Sequence, residues 1–334
     1  MNPSALQVRI QKSLARFKER IENGAYYEAQ QTIRAVTNRY VHIKNYEAAT
    51  QLLYQSAMVL TEYKKYDEAS DLYLYLLEVF TLEKKQVKEF ENSDLIKILD
   101  FLNALPDSDA NISNLATETF KFTTSKMGTG VGFPKLNRLI GEKLYYSGDG
   151  KEVNLSQQFL LLSDETECLT LLANLYFDSY KKEGDVYDFG SYLVRLVIPY
   201  LLLRNVEFAQ KSISIMLKKL KLEPDQPFKF TKVKEIEVVE LQEETSNKGC
   251  SQLVNFLQLL VATCKRSVSD NGKNLRILYH RYEKVIDQYS GMAQMVDAVG
   301  QEYFKVNLIK KQSNLLQDMM GSFLGGGNSR QIQS

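Results

Sequence analysis

The sequence predicts an all-α protein: a right-handed α-solenoid of antiparallel helix pairs, tetratricopeptide-like, with one β-hairpin inserted near residues 228–241. Three observations carry that prediction. Tyr26, Tyr46 and Tyr66 stand twenty residues apart, and each is followed three residues later by an alanine, Ala29, Ala49 and Ala69. A fixed period marks a repeated structural unit, and this one is the length of one helix plus one tight corner. The apolar residues between the corners recur at steps of three and four, the spacing of a single helix face. Six prolines and seventeen glycines in 334 residues are too few for a turn-rich β architecture.

The first helix is expected from about Ser4 to Glu22. There Leu6, Ile10, Leu14, Phe17 and Ile21 form one stripe, and Gly24 ends it. The second, about Tyr26 to Ile43, turns Ala29, Ile33, Val36, Tyr40 and Ile43 inward. Its opposite face carries Gln31, Arg34, Asn38 and His42, with Arg39 to one side. The third buries Ala49, Leu52, Leu53, Ser56 and Leu60; the fourth buries Ala69, Leu72, Leu76, Leu77 and Phe80. In each unit the small alanine lets two helices approach and the tyrosine ring fills the corner. Corners this short force neighbouring helices antiparallel.

Beyond the fourth helix the period fades while the helical character persists. Leu95 to Leu105 reads as a helix stopped by Pro106, and Lys126 to Pro134 as a loop followed by a helix over Leu136 to Tyr146. Gly148-Asp149-Gly150 breaks the chain near its middle. Asp164 to Glu167 suit the first turn of a further helix. Tyr187 to Leu203 and Val206 to Leu220 continue the array, and Val206-Glu207-Phe208-Ala209 reads as a degenerate Tyr-x-x-Ala corner. The stretch Pro227 to Glu243 departs from this pattern. Phe228/Phe230 and Ile236/Val238 alternate with polar neighbours, the phase slipping between the pairs, which is a hairpin signal without an Asn-Gly turn to fix its register. Helices resume near Cys250 and cover Leu275 to Tyr289 and Met292 to Phe304. The domains are therefore expected at 1–150 and 151–315, with a flexible glycine-rich tail over 316–334.

Lys plus Arg number 42 against 41 for Asp plus Glu, so the chain has no bulk electrostatic footprint for nucleic acid. The charge is unevenly placed: residues 1–50 carry eight basic and four acidic residues, net +4, and residues 51–118 carry six and thirteen, net −7. Adjacent surfaces of opposite sign steer and orient a charged protein partner. Three cysteines without CxxC spacing point to a reducing compartment. The N-terminal residues lack the apolar core of a signal peptide, and Arg195 and Pro199 interrupt the most apolar stretch. A cytosolic (cytoplasmic) location is expected.

Little in the chain points to chemistry. His42 and His280 are the two histidines, and no run of Cys, His and carboxylates has zinc-site spacing. Gly128-Thr-Gly-Val-Gly132 ends in Phe-Pro, where a phosphate-binding loop needs Gly-Lys-Ser/Thr after a strand. No catalytic residue, cofactor or metal is expected. What remains are surfaces: the polar stripe of the second helix as a docking face, since arginine binds carboxylates bidentately, and the hairpin. A lone hairpin is marginal in water, so its apolar residues Phe228, Phe230, Ile236, Val238 and Leu241 lean on the domain or on a partner.

Several segments together resemble the Golgi to ER traffic protein 4 family: Leu6-Gln-Val-Arg-Ile-Gln-Lys, Tyr26-Tyr-Glu-Ala-x-Gln, Arg34-x4-Arg39-Tyr40, Leu76-Leu-Glu-Val79, Asn255-Phe-Leu-Gln-Leu-Leu260, Gly300-Gln-Glu-Tyr-Phe304 and Asn314 to Gly326. The resemblance spans nearly the whole chain. It implies a non-catalytic helical-repeat scaffold of the guided-entry pathway for tail-anchored membrane proteins. In that reading the N-terminal helices dock the targeting ATPase (Golgi to ER traffic protein 3 type). The C-terminal half holds a ubiquitin-like-domain protein (Golgi to ER traffic protein 5 type), which recruits a tetratricopeptide co-chaperone. By position the resemblance places Arg34, Arg39, Tyr40 and Asp71 on the ATPase face, Tyr40 pointing inward to support it. It places residues 228–241 on the adaptor face, although this hairpin lacks the expected tight turn. A generic tetratricopeptide-like or proteasome-lid-like scaffold is the alternative. Against it stands the period of twenty, where tetratricopeptides repeat every ~34 residues.

Overall fold

The computed structural model describes residues 3–183, 189–224, 226–242, 249–267 and 272–309. The chain divides into two compact units, Met1–Asp164 and Glu165–Ser334. The first contains α1 (Pro3–Glu22), α2 (Tyr26–His42), α3 (Tyr46–Glu62), α4 (Tyr66–Glu83), α5 (Val87–Ser93), α6 (Leu95–Ala104), α7 (Ile112–Met127), α8 (Pro134–Tyr146) and α9 (Gly150–Leu161). Consecutive helices of α1 to α4 pack on each other, and helices two apart (α1 with α3, α2 with α4) also touch. That is a stack of antiparallel neighbours. The core then runs from α4 through α5 and α7 to the start of α8, where Phe80, Phe90, Phe122 and Phe133 meet with ring centroids 5.2–6.2 Å apart.

The corners explain the twenty-residue period. Gly24, Lys44, Lys64 and Lys84 have φ of +77°, +56°, +58° and +54°, a left-handed residue at each repeat. At the first three, two backbone bonds close the helix end. The residue after the left-handed one donates five residues back (Asn45 N to Tyr40 O, 2.8 Å), and the left-handed residue donates three residues back (Lys44 N to Val41 O, 2.9 Å). This is the Schellman arrangement, which satisfies carbonyls that a helix end leaves open. The same pair recurs at Arg204 and Asn205, so the degenerate corner before Val206 has the geometry of the first three. Asn45 and Asn205 then cap the next helix, accepting from Ala48 N at 3.2 Å and Phe208 N at 2.9 Å. Ala29, Ala49, Ala69 and Ala209 are fully buried, and the corner tyrosines are half-buried. Lys65 Nζ lies 4.2 Å from the centre of the Tyr26 ring, joining two corners. Glycine holds the left-handed conformation without a Cβ clash. Lys64→Gly is therefore expected to raise the urea midpoint by the equivalent of roughly 0.5–1 kcal/mol. Lys65→Gly, one residue on at φ −98°, is expected to lower it.

Ile43 departs from expectation. The helix ends at His42, Ile43 becomes the C-cap, and its side chain is 61% exposed. Gln30 and Thr37 take buried places on α2 instead. Helices α5, α7 and α9 add to those expected from the sequence. Gly148-Asp149-Gly150 forms the corner between α8 and α9, with Asp149 capping α9.

The second unit contains α10 (Thr166–Glu183), α11 (Phe189–Leu202), α12 (Val206–Leu222), β1 (Phe228–Val233), β2 (Ile236–Leu241), α13 (Gly249–Lys265), α14 (Lys273–Ile286) and α15 (Met292–Phe304). Helix α11 is buried along most of its length and packs on α12, α13 and α15. It continues through Pro199. The strands pair antiparallel, from Phe228 with Leu241 to Val233 with Ile236. This corrects the sequence reading: the hairpin does have a tight turn. Lys234 and Glu235 make it alone, with Lys234 at φ +56° supplying the left-handed residue. The linker over residues 243–248 and the tail from residue 310 lie outside the described residues.

Candidate functional site

Two surfaces draw the residues singled out in the sequence. The first lies between α2 and α4. Asp71 Oδ2 accepts from Arg34 at 2.7 Å and from Gln30 Nε2 at 2.5 Å. The Arg34 guanidinium also stands 4.9 Å from the centre of the Tyr75 ring. Burial raises the Tyr75 hydroxyl pKa, with Arg34 opposing and Glu78 reinforcing the rise. Gln30 and Arg34 are one turn apart on α2, as Asp71 and Tyr75 are on α4, so the two pairs meet as facing rungs. The Arg34–Asp71 pair is about two-fifths exposed, and at that exposure an ion pair contributes roughly 0–1 kcal/mol. Its effect is to hold the arginine in one orientation. Asn38, Arg39 and His42 continue along the exposed side of α2, and Tyr40 is buried. Arg39 is exposed and has no ion-pair partner among the described residues.

Gln30 and Tyr75 were missed in the sequence, and a signal for them existed. Residues 30 and 71, like 34 and 75, are 41 apart, two repeats plus one residue. Helices two repeats apart are parallel neighbours in such a stack.

The second surface is the hairpin. Strand parity puts Phe228, Phe230, Val239 and Leu241 on one face and Val233, Ile236 and Val238 on the other. The phase slip seen in the sequence is this change of face across the turn. Phe228 and Val239 are 1% exposed, so Phe228 belongs to the core. Phe230 and Leu241 are half-buried, as are Ile236 and Val238. Lys221 of α12 pairs with Glu237 and lies 5.3 Å from the centre of the Phe230 ring. The outer edge of β2 is sealed by side-chain amides of α13. Asn255 exchanges two bonds with the backbone of Val239, at 2.9 and 2.8 Å, and Gln258 does the same with Glu237, at 3.0 and 2.7 Å. Two amides thus stand in for a third strand and fix the hairpin to its helix.

Among the described residues there is no group of three or more His, Cys, Asp or Glu that could hold a metal ion, and no helix long and apolar enough to cross a membrane. Comparison with known proteins is decisive at this point. The profile of Golgi to ER traffic protein 4 matches residues 43–324. The chain belongs to the Golgi to ER traffic protein 4 family. The Golgi to ER traffic protein 4 of Aspergillus fumigatus is 26% identical over 332 residues, 96% of this chain and 92% of that protein. The homolog from Oryzias latipes is 24% identical over 327 residues, 95% of this chain and 89% of that one. The crystal structure of C. therm. Get4 covers 98% of this chain and 99% of its own, with a TM-score of 0.72 at 24% identity, and shows the same all-helical fold. Family membership places the chain among traffic proteins with a role in tail-anchored protein targeting. Asp71, Tyr75 and the hairpin lie within the matched residues 43–324, and Gln30 and Arg34 precede them.

Proposed function

We propose that the chain is a non-catalytic cytosolic scaffold that bridges two proteins during delivery of tail-anchored clients to the endoplasmic reticulum. The N-terminal helices, in a half drawn at residues 1–150, dock the targeting ATPase through Arg34, Asn38, Arg39, His42 and Asp71. The C-terminal half, residues 151–315, holds a ubiquitin-like-domain adaptor at the hairpin, through the half-buried Phe230, Ile236, Val238 and Leu241, with Phe228 anchoring the hairpin beneath them. Through the adaptor the scaffold reaches a tetratricopeptide co-chaperone and promotes handover of the client.

The observation that carries this reading is the family match from residue 43 to 324. The geometry gives it support. Asp71 and Tyr75 orient Arg34, and Arg39 is exposed, a preorganised arrangement that lowers the ordering cost of binding. The candidate adaptor face lies in the other compact unit, as two partners held at once require.

The test is a pull-down with purified ATPase and adaptor. Arg34→Glu with Arg39→Glu puts carboxylates beside Asp71 and removes the free cation. It is expected to lower ATPase binding by at least ~100-fold, consistent with loss of a hot-spot arginine pair, while the adaptor still co-purifies. Loss of both partners, or of neither, contradicts the assignment of two separate faces.

A further inference from the structure

The motif Gly300-Gln-Glu-Tyr-Phe304 lies on neither candidate surface. It forms the end of α15, under a short return of the chain. Lys305, at φ +57°, turns the backbone over. Its amide donates to Gln301 O at 3.2 Å, and the Val306 amide donates to Gly300 O at 3.3 Å. Residues 305–309 then run back along the helix until Leu308 and Ile309 reach Asp297, about two turns before the helix end. Two glycines make the seat. A Cβ on Gly272, the N-cap of α14, would stand 2.8 Å from Val306 Cγ1. One on Gly300 would stand 3.1 Å from Leu275 Cδ2 and 3.3 Å from the Val306 carbonyl oxygen. Val306 and its carbonyl thus fill the space that side chains would need, and the segment rests on both α14 and α15.

Asp297 holds it there. The residue is 4% exposed. Its Oδ1 accepts from Leu308 N at 2.6 Å and Ile309 N at 3.2 Å, and its Oδ2 accepts from Gln301 Nε2 at 2.6 Å. No cation pairs with it among the described residues. A buried carboxylate without a counter-ion depends on such donors, and two of these three come from the returning segment. Lifting that segment leaves the carboxylate and two amides short of partners until water reaches them. The helix end is anchored separately, since Glu302 pairs with Arg204 at the α11–α12 corner.

We infer that residues 305–309 are a strap latched by Asp297 across α14 and α15. The strap opens and closes as a unit while the two helices stay folded, and it sets whether residues 310–334 continue from a fixed or a free root. Three residues of the motif acquire roles: Gly300 gives the strap room, Gln301 supports the carboxylate and Glu302 fixes the helix end.

Trypsin reads the opening, because cleavage after Lys305 requires that bond to lift away from the helix. The full chain receives a brief trypsin pulse, and mass spectrometry follows the rate at which chains ending at Lys305 appear. Asp297→Leu keeps the size of the side chain, removes the acceptor and leaves the residues around the scissile bond unchanged. It is expected to speed that cut at least ~10-fold over wild type, with no gain in cleavage after Arg276 or Lys284 inside α14. Leu308→Ser, on the strap itself, touches neither helix and is expected to speed the cut by ~3-fold or more. Circular dichroism verifies the fold, and Leu308→Ser decides alone if Asp297→Leu does not fold. Wild-type rates in the folded variants would overturn the inference, since the strap would then not depend on its latch. Parallel gains at Arg276 and Lys284 would overturn it too, since the segment would then open only with the helices.

Discussion

Asp94→Ala is expected to destabilise the N-terminal unit by about 3–5 kcal/mol, the usual consequence of removing one partner from a buried ion cluster. The Asp94 side chain is 1% exposed and accepts from Lys85 and Lys97, each at 2.6 Å, and from Ser93 at 2.7 Å. Burial alone would raise this carboxyl. The hydrogen bonds from Lys85, Lys97 and Ser93 outweigh burial and hold it below its ordinary value. Alanine would leave Lys85 and Lys97, each about four-fifths buried, without that carboxylate between them. Glu83 still reaches Lys85 at 3.2 Å, so the loss falls hardest on Lys97.

The sign of the pH dependence follows. A carboxyl depressed on folding stabilises the fold above its unfolded pKa, and that contribution disappears as the pH falls through the lower, folded value. The urea-midpoint difference between the wild type and Asp94→Asn is therefore expected to be full at pH 7 and to shrink below about pH 4. A difference that grew on acidification would contradict this account of the cluster.

Phe101→Ala is expected to cost about 3–5 kcal/mol, the range for emptying an aromatic site in a close-packed core. Phe101 is fully buried and stacks on Tyr73, ring centroids 4.5 Å apart and planes 12° from parallel. The Tyr73 hydroxyl shares a 2.6 Å hydrogen bond with Thr119, so one stack ties α6, α4 and α7 together. Burial raises the Tyr73 pKa, only partly offset by Thr119, and the hydroxyl stays protonated. Phe101→Leu, which keeps most of the volume, is expected to lose less than half as much. Equal losses for leucine and alanine would mean that the site collapses around either residue and that the stacking geometry contributes little.

The elements legible in the sequence were those where local signals agreed. Helices α1 to α4 each combine an apolar stripe with a left-handed corner at the end, and α2 to α4 add a tyrosine–alanine entry, so period and propensity point the same way. The inward residues of α3 and α4 named from spacing are all buried. Helix α7 was illegible for a physical reason. Its sequence ISNLATETFKFTTSKM is rich in threonine and serine, residues whose hydroxyls compete for the backbone. In the fold Thr117 and Thr124 donate back to carbonyls four residues earlier, and buried Leu115, Ala116 and Phe122 supply the packing that overrides propensity. Helix α9 opens on a glycine and α5 has seven residues, too short for a period to show.

The candidate surfaces were legible in part. Arg34 came from the polar stripe of the second helix and Asp71 from the family resemblance, and the two stand in direct contact, whereas Gln30 and Tyr75 needed pairing across two repeats. The hairpin's bounds, 228 and 241, were legible and its turn was not, because a two-residue turn containing Lys234 gives no Asn-Gly signal. Asn255 and Gln258, which seal the strand edge, lie within the family-like stretch Asn255 to Leu260. Their role depends on a contact sixteen to twenty-one residues away, beyond any local pattern.

The bridging proposal is tested most directly by sedimentation velocity of the full chain mixed with the targeting ATPase and the ubiquitin-like adaptor together. Two separate faces require a single heavier species containing all three proteins, with neither partner displacing the other at saturation. Mutually exclusive binding, in which added adaptor releases the ATPase, would contradict it.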